Sequence, residues 1–152
     1  MDAELRDLYQ QVIMDHQRRP RNFGPMESPN RSAEGYNPLC GDRIRVELAL
    51  DEGKRIRRAA FSGEGCAICT ASASMMTEAV TGHTLEETNG IFDAFHRLLT
   101  EDDQDPAVAE RLGKLAVFAG VREFPVRVKC ATLAWHTLHA AIDNREDPVT
   151  TE

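Results

Sequence analysis

The stretch RIRVELAL, residues 43–50, alternates: Ile44, Val46, Leu48 and Leu50 fall on one side, Arg43, Arg45 and Glu47 on the other. Successive side chains of an extended strand point to opposite faces, so this is the pattern of a strand with one face on a core and one in water. Asp51-Glu52-Gly53-Lys54 then supplies turn residues, and IRRAAFSG from Ile56 reads as a second strand. Two runs joined by so short a turn predict an antiparallel hairpin, and the imperfect alternation of the second leaves room for a bulge. The start of the first strand and the end of the second then share one edge. Cys40 and Asp42 are therefore expected beside Cys66.

The rest of the chain reads as helices and loops. Leu5, Leu8, Tyr9, Val12, Ile13 and His16 recur at helical spacing and predict an amphipathic helix over residues 3–18, stopped by the prolines and glycine of RRPRNFGP. SPNRSAEGYNP shows no periodicity and reads as loop. After GEGCAIC, Ser72 or Ser74 is a candidate cap for a short helix carrying Met75, Met76, Ala79 and Val80, with Gly82 beyond its end. Thr84 and Glu87 form a capping-box pattern before Leu85, Ile91, Phe92, Phe95, Leu98 and Leu99. An acidic linker, residues 101–105, precedes a helix opened by Pro106, with Val108, Leu112, Leu115, Ala116 and Ala119 inward and Gly120 near its end. VREFPVRVKC reads as extended, and Cys130 as the start of a last helix on Leu133, Ala134, Leu138, Ala141 and Ile142. The sum is an α+β fold, a small antiparallel sheet of about three strands packed against helices, in a single domain over residues 1–152.

Charge and cysteine usage narrow the function. A net charge of −7 opposes phosphate backbones, so nucleic acid is not expected as a partner. Arg43, Arg45, Arg55, Arg57 and Arg58 cluster around the strands, as a docking face or a solvated sheet surface. No run is long and apolar enough for a bilayer, and the acidic amphipathic start is unlike a secretory signal; a cytoplasmic protein without a membrane partner is the expectation. In that compartment Cys40, Cys66, Cys69 and Cys130 stay reduced, which favours metal binding or thiol chemistry over disulfides.

If the last helix crosses the hairpin edge, Cys130 joins Cys40, Asp42 and Cys66, three sulfurs and one oxygen suited to tetrahedral zinc. Gly41 lets the backbone turn tightly enough for both of its neighbours to aim at one point. Placed at a helix N-terminus, the Cys130 thiolate would be stabilised by the helix dipole. Spacing alone leaves two alternatives open: Cys66 and Cys69 as a C-x-x-C pair, or four unconnected buried cysteines. His16, His96, His136 and His139 fall on helices and read as ordinary core or surface residues, and His83 as a turn residue.

DHQRRPRNFG, NPLCGDRIRV, FSGEGCAICTASASMM and FPVRVKCATLAW follow in order the pattern of the U-type iron-sulfur assembly proteins, IscU and SufU, which the chain resembles over nearly its whole length. Lys129 stands where IscU scaffolds carry a histidine ligand, and the segment between Cys66 and Cys130 is longer than theirs; both features resemble SufU. That resemblance implies zinc at Cys40, Asp42, Cys66 and Cys130, with Cys40 as the catalytic acceptor of persulfide sulfur from the cysteine desulfurase SufS, a histidine of which replaces Cys40 on the metal. Sulfur would then move to a downstream SUF cluster-assembly scaffold. The alternative the resemblance allows is a scaffold that itself holds an iron-sulfur cluster. Arg127 is the candidate supporting charge, and Arg21-Asn22-Phe23 a candidate part of the docking face. Cys69 departs from the pattern: a buried small hydrophobe, a rival ligand or a second sulfur acceptor.

Overall fold

The computed structural model describes residues 3–101, 105–145 and 147–151. The side chain of Leu5 and most of the expected acidic linker, residues 102–104, lie outside the described set. The chain runs α1 (Ala3–Arg18), β1 (Arg31–Asn37), β2 (Asp42–Leu50), β3 (Ile56–Glu64), α2 (Ala67–Val80), α3 (Leu85–Thr100), α4 (Pro106–Leu112), a 3-10 helix (Gly113–Glu123), α5 (Pro125–Ile142) and β4 (Val149–Thr150). The strands form one sheet in the order β3-β2-β1-β4, antiparallel except for the β1/β4 pair, which is parallel. The fold is α+β, with a fourth strand and a parallel pair added to the expected three-stranded sheet.

The predicted hairpin is β2 and β3, paired from Arg43↔Glu64 to Leu50↔Ile56, with an irregularity at Ala49/Leu50 where a bulge was anticipated. Ile44, Val46 and Leu48 are buried on one face, and α5 packs across β1 and β2. Glu47, expected in water, is buried instead: a loop folds over it, and its Oε1 accepts from the Met26 N–H at 3.1 Å. The five arginines do not make one patch. Arg43 lies over the Tyr36 ring, Arg45 faces Glu34 at 3.3 Å, and Arg55 bonds the Gly82 carbonyl at the opposite end of the hairpin.

Three expectations about where elements lie are corrected first. The segment 31–37 is not loop but β1. Its inward residues are Ala33, Gly35 and Asn37, too small or too polar to announce a strand, because α5 rests directly on them; a Cβ at Gly35 would run into Thr137 and Leu133. Nor does α2 start at Ser72 or Ser74. It starts at Ala67 behind Cys66, whose Sγ accepts from the Cys69 N–H at 3.4 Å, and the two serines are buried in mid-helix with tertiary partners. Ser72 donates to the Ala131 carbonyl at 2.6 Å and accepts from Trp135 Nε1 at 3.1 Å; Ser74 takes the Arg21 N–H and bonds His16 Nδ1, both at 2.8 Å.

The correction at the start of the last helix bears on the site. VREFPVRVKC is not extended: Val121–Glu123 closes the 3-10 helix, and Pro125 opens α5 at its first position, where its missing N–H costs nothing. Cys130 therefore sits in the second turn of α5 rather than at its mouth, and the dipole reaches it weakly because the effect fades beyond the first turn. Cys66, as the cap of α2, occupies the helix N-terminus instead.

Elsewhere the capping box of Thr84 and Glu87 forms as expected, at 3.1 and 2.9 Å. The Pro106 helix ends at Leu112 rather than near Gly120; Leu112 and Leu115 are buried, whereas Val108, Ala116 and Ala119 are only partly so. Leu8 of the anticipated α1 face is exposed. Trp135, stacked on Phe95 at 4.7 Å between centroids, centres the helical side of the core.

Candidate metal and thiol centre

The site is assembled at the hairpin edge where β2 begins and β3 ends. Gly41, at φ +72°, turns the chain between Cys40 and Asp42, a backbone conformation that glycine adopts without Cβ strain. Asp42, 2% exposed, enters β2 and directs Oδ1 to the Cys66 N–H at 2.8 Å, while Cys66 Sγ lies 4.0 Å from Oδ2. Cys130 reaches the same point from α5, with its Sγ 3.1 Å from that of Cys40. Among the described residues, Cys40, Asp42 and Cys130 are the group whose ligand atoms all lie within 4.8 Å of one another, and Cys66 borders it through Asp42.

Burial separates the members. Cys130 is fully buried and Asp42 nearly so, whereas Cys40 and Cys66 are partly exposed. Burial pushes the Cys130 thiol well above the usual thiol range, with the bond to Cys40 acting in the same direction. Cys69 is pushed up as well, by burial first and by the negative charge of Asp42 second. Packed at the edge of the site, it fits the reading of a buried small hydrophobe. Arg127 is exposed on the first turn of α5, three residues before Cys130. Asn22 and Phe23 instead line an open groove of about 580 Å³ with Arg58, Glu78 and Thr81, which contains none of the cysteines.

Two members of the site carried no weight in the sequence reading. Asn37 is fully buried, accepts from the Leu39 N–H at 3.2 Å and donates from Nδ2 to Cys130 Sγ at 3.5 Å, tying the Cys40 loop to α5. Its place before Pro38, in an Asx-type turn, was the available signal. Gly65 leaves room for the cluster; a Cβ there would stand 3.0 Å from Cys69 Sγ and 3.2 Å from Asp42 Oδ1.

A four-stranded sheet backed by helices, with thiols and a carboxylate gathered at one edge, is the architecture of a known family: residues 8–149 match the NifU-like N terminal domain, and the chain belongs to it. Its relatives are iron-sulfur cluster assembly proteins of the IscU and SufU kind. The chain is 41% identical over 145 residues to the zinc-dependent sulfurtransferase SufU of Bacillus subtilis, covering 95% of this chain and 96% of that protein. It is 42% identical over 140 residues to the iron-sulfur cluster assembly scaffold protein IscU of Streptococcus pyogenes, covering 92% and 86%. FiSufU of Fervidobacterium islandicum superposes with a TM-score of 0.80 at 32% identity, over 87% of this chain and 94% of that one. The two sequence identities are too close to separate sulfurtransferase from scaffold, so that distinction rests on the site.

Proposed function

We propose that this protein is a zinc-dependent sulfurtransferase that accepts persulfide sulfur from a cysteine desulfurase of the SufS type and relays it for iron-sulfur cluster assembly. The observation that carries the reading is the asymmetry of the cluster: a partly exposed Cys40 against a buried Asp42 and Cys130, all within 4.8 Å. Thiolates and a carboxylate at this spacing suit zinc, which Cys40, Asp42, Cys66 and Cys130 would hold. Bound there, the ion would keep its thiols deprotonated at neutral pH.

Cys40, on a loop open to a partner, would attack the outer sulfur of the donor persulfide, and the donor cysteine would leave as its thiolate. Arg127, exposed on the first turn of α5 three residues before Cys130, is the charge proposed to meet that persulfide. Lys129, where a scaffold would have a histidine, leaves the site without an imidazole of its own. No described helix is long and apolar enough to cross a membrane; the relay is proposed to work in the cytoplasm and to pass sulfur to a SUF scaffold.

Cys40→Ala is expected to abolish the enhancement of cysteine desulfurase turnover by this protein; undiminished enhancement rejects Cys40 as the acceptor. The second reading, a scaffold holding an iron-sulfur cluster at the same cysteines, is favoured by the name of the Streptococcus relative. Inorganic content separates the two: zinc for the relay, iron and sulfide for the scaffold.

A further inference from the structure

The sulfur contact at 3.1 Å places a second, buried thiol directly against the acceptor. We infer that Cys130 is a resolving thiol: when the site is without metal, it discharges a persulfide on Cys40 as sulfide and leaves a Cys40–Cys130 disulfide. The inference rests on the reading of Cys40 as the persulfide carrier.

The chemistry balances within the chain. Cys130 Sγ attacks the inner sulfur of the Cys40 persulfide, the bond between the inner and outer sulfurs breaks, and the outer sulfur departs with the electron pair. As it attacks, the Cys130 thiol gives its proton to the anionic outer sulfur, which departs as hydrosulfide. The outer sulfur is reduced to sulfide, the two cysteine sulfurs are oxidised to a disulfide, and no external oxidant or reductant enters.

The placement favours this pair. Cys130 is fully buried and Cys40 partly exposed, so attack comes from the protein side while the leaving sulfur has room on the solvent side. Asn37 Nδ2 bonds Cys130 Sγ, its Oδ1 takes the Leu39 N–H and its backbone carbonyl the Cys40 N–H, so one residue ties the Cys130 sulfur to the loop that carries Cys40. Cys66 Sγ accepts from the Cys69 N–H and faces Asp42 and Cys130, whereas the sulfur in direct contact with Cys40 is that of Cys130. Oriented intramolecular attack of this kind has a large advantage over attack by free thiols. Metal held by Cys130 would block it, which makes the discharge a property of the metal-free chain.

The test loads Cys40 of the full chain, stripped of metal by a chelator, with inorganic polysulfide rather than with the desulfurase, and follows sulfide colorimetrically and the protein by intact and peptide mass spectrometry. One sulfide per Cys40–Cys130 disulfide is expected without added reductant. Discharge from Cys130→Ser should be slower by on the order of a hundredfold, with the added sulfur still on Cys40, while Cys69→Ala should discharge like the parent. A persulfide equally long-lived in the parent and in Cys130→Ser, or a disulfide that joins Cys40 to Cys66, overturns the inference. Because loading is chemical, failure of the desulfurase to load Cys40 would count against the proposed function and leave this result standing.

Discussion

Among the described residues, the helical side and the hairpin edge both gather metal-ligating residue types, and of these two the hairpin edge gathers ligand atoms. Around Phe92, between α3 and α5, three imidazoles collect: His96, His136 and His139, with ring centroids 6.2, 5.4 and 5.5 Å from that of Phe92. At the hairpin edge, Cys40, Asp42 and Cys130 bring single ligand atoms within 4.8 Å. The histidines share two neighbouring helices and pack on an apolar ring, so their nitrogens disperse. The thiols and the carboxylate come from a loop, a strand and a helix that meet at the hairpin edge. Convergence from separate elements, held by Asn37 and by the Cys66 N–H, is what distinguishes a centre from a cluster.

The sharpest way to break the contrast is Asp42→Ala. It removes the buried oxygen ligand and orphans the Cys66 N–H, so loss of bound zinc and a destabilisation of about 1–3 kcal/mol are expected by metal analysis and denaturant unfolding. Zinc retained at full occupancy would mean that thiolates alone hold the ion, with Cys69 as the replacement to suspect. Asn37→Ala keeps every ligand but frees the Cys130 sulfur and the Cys40 loop. A drop in zinc affinity of roughly 10–100-fold, measured by chelator competition, is the expected cost of losing such an outer partner.

The histidine side answers to pH rather than to metal. Burial holds His136 below the usual imidazole range, reinforced by His96 and His139, and burial likewise lowers His16, with the charge of Arg21 acting in the same direction. The unfolded chain takes up protons from about pH 6.5 downward, before the folded one does. Their contribution to stability is therefore complete above that value and lost as pH falls toward the folded-state values. Melting temperature should decline between about pH 7.5 and about pH 5.5, and less steeply in His136→Gln; an unchanged slope would remove His136 from the account. Smallest of all, His96→Ala, an exposed position, should leave zinc content and desulfurase enhancement unaltered.

The same contrast explains what was legible in the sequence. The β2/β3 hairpin could be read because its alternation records one buried and one exposed face, and from it followed the approach of Cys66 to Asp42. β1 could not, since Ala33, Gly35 and Asn37 are selected by the close approach of α5 rather than by strand periodicity. The start of α5 was hidden by Val126, Val128 and Pro125, which imitate an extended run when the helix packed behind them is unknown. Asn37 and Gly65 act on the site only through tertiary contacts, which spacing does not encode. Cys130 reaches the Cys40 sulfur from a helix crossing the hairpin edge, as anticipated, but from the second turn of that helix rather than its mouth.

The central claim is that the hairpin-edge centre holds zinc and serves sulfur transfer rather than cluster assembly. Native mass spectrometry of protein isolated anaerobically and without chelators tests it most directly. One zinc per chain with no inorganic sulfide is the predicted result; a mass increment of iron together with sulfide would contradict it and make this member of the family a scaffold despite Lys129.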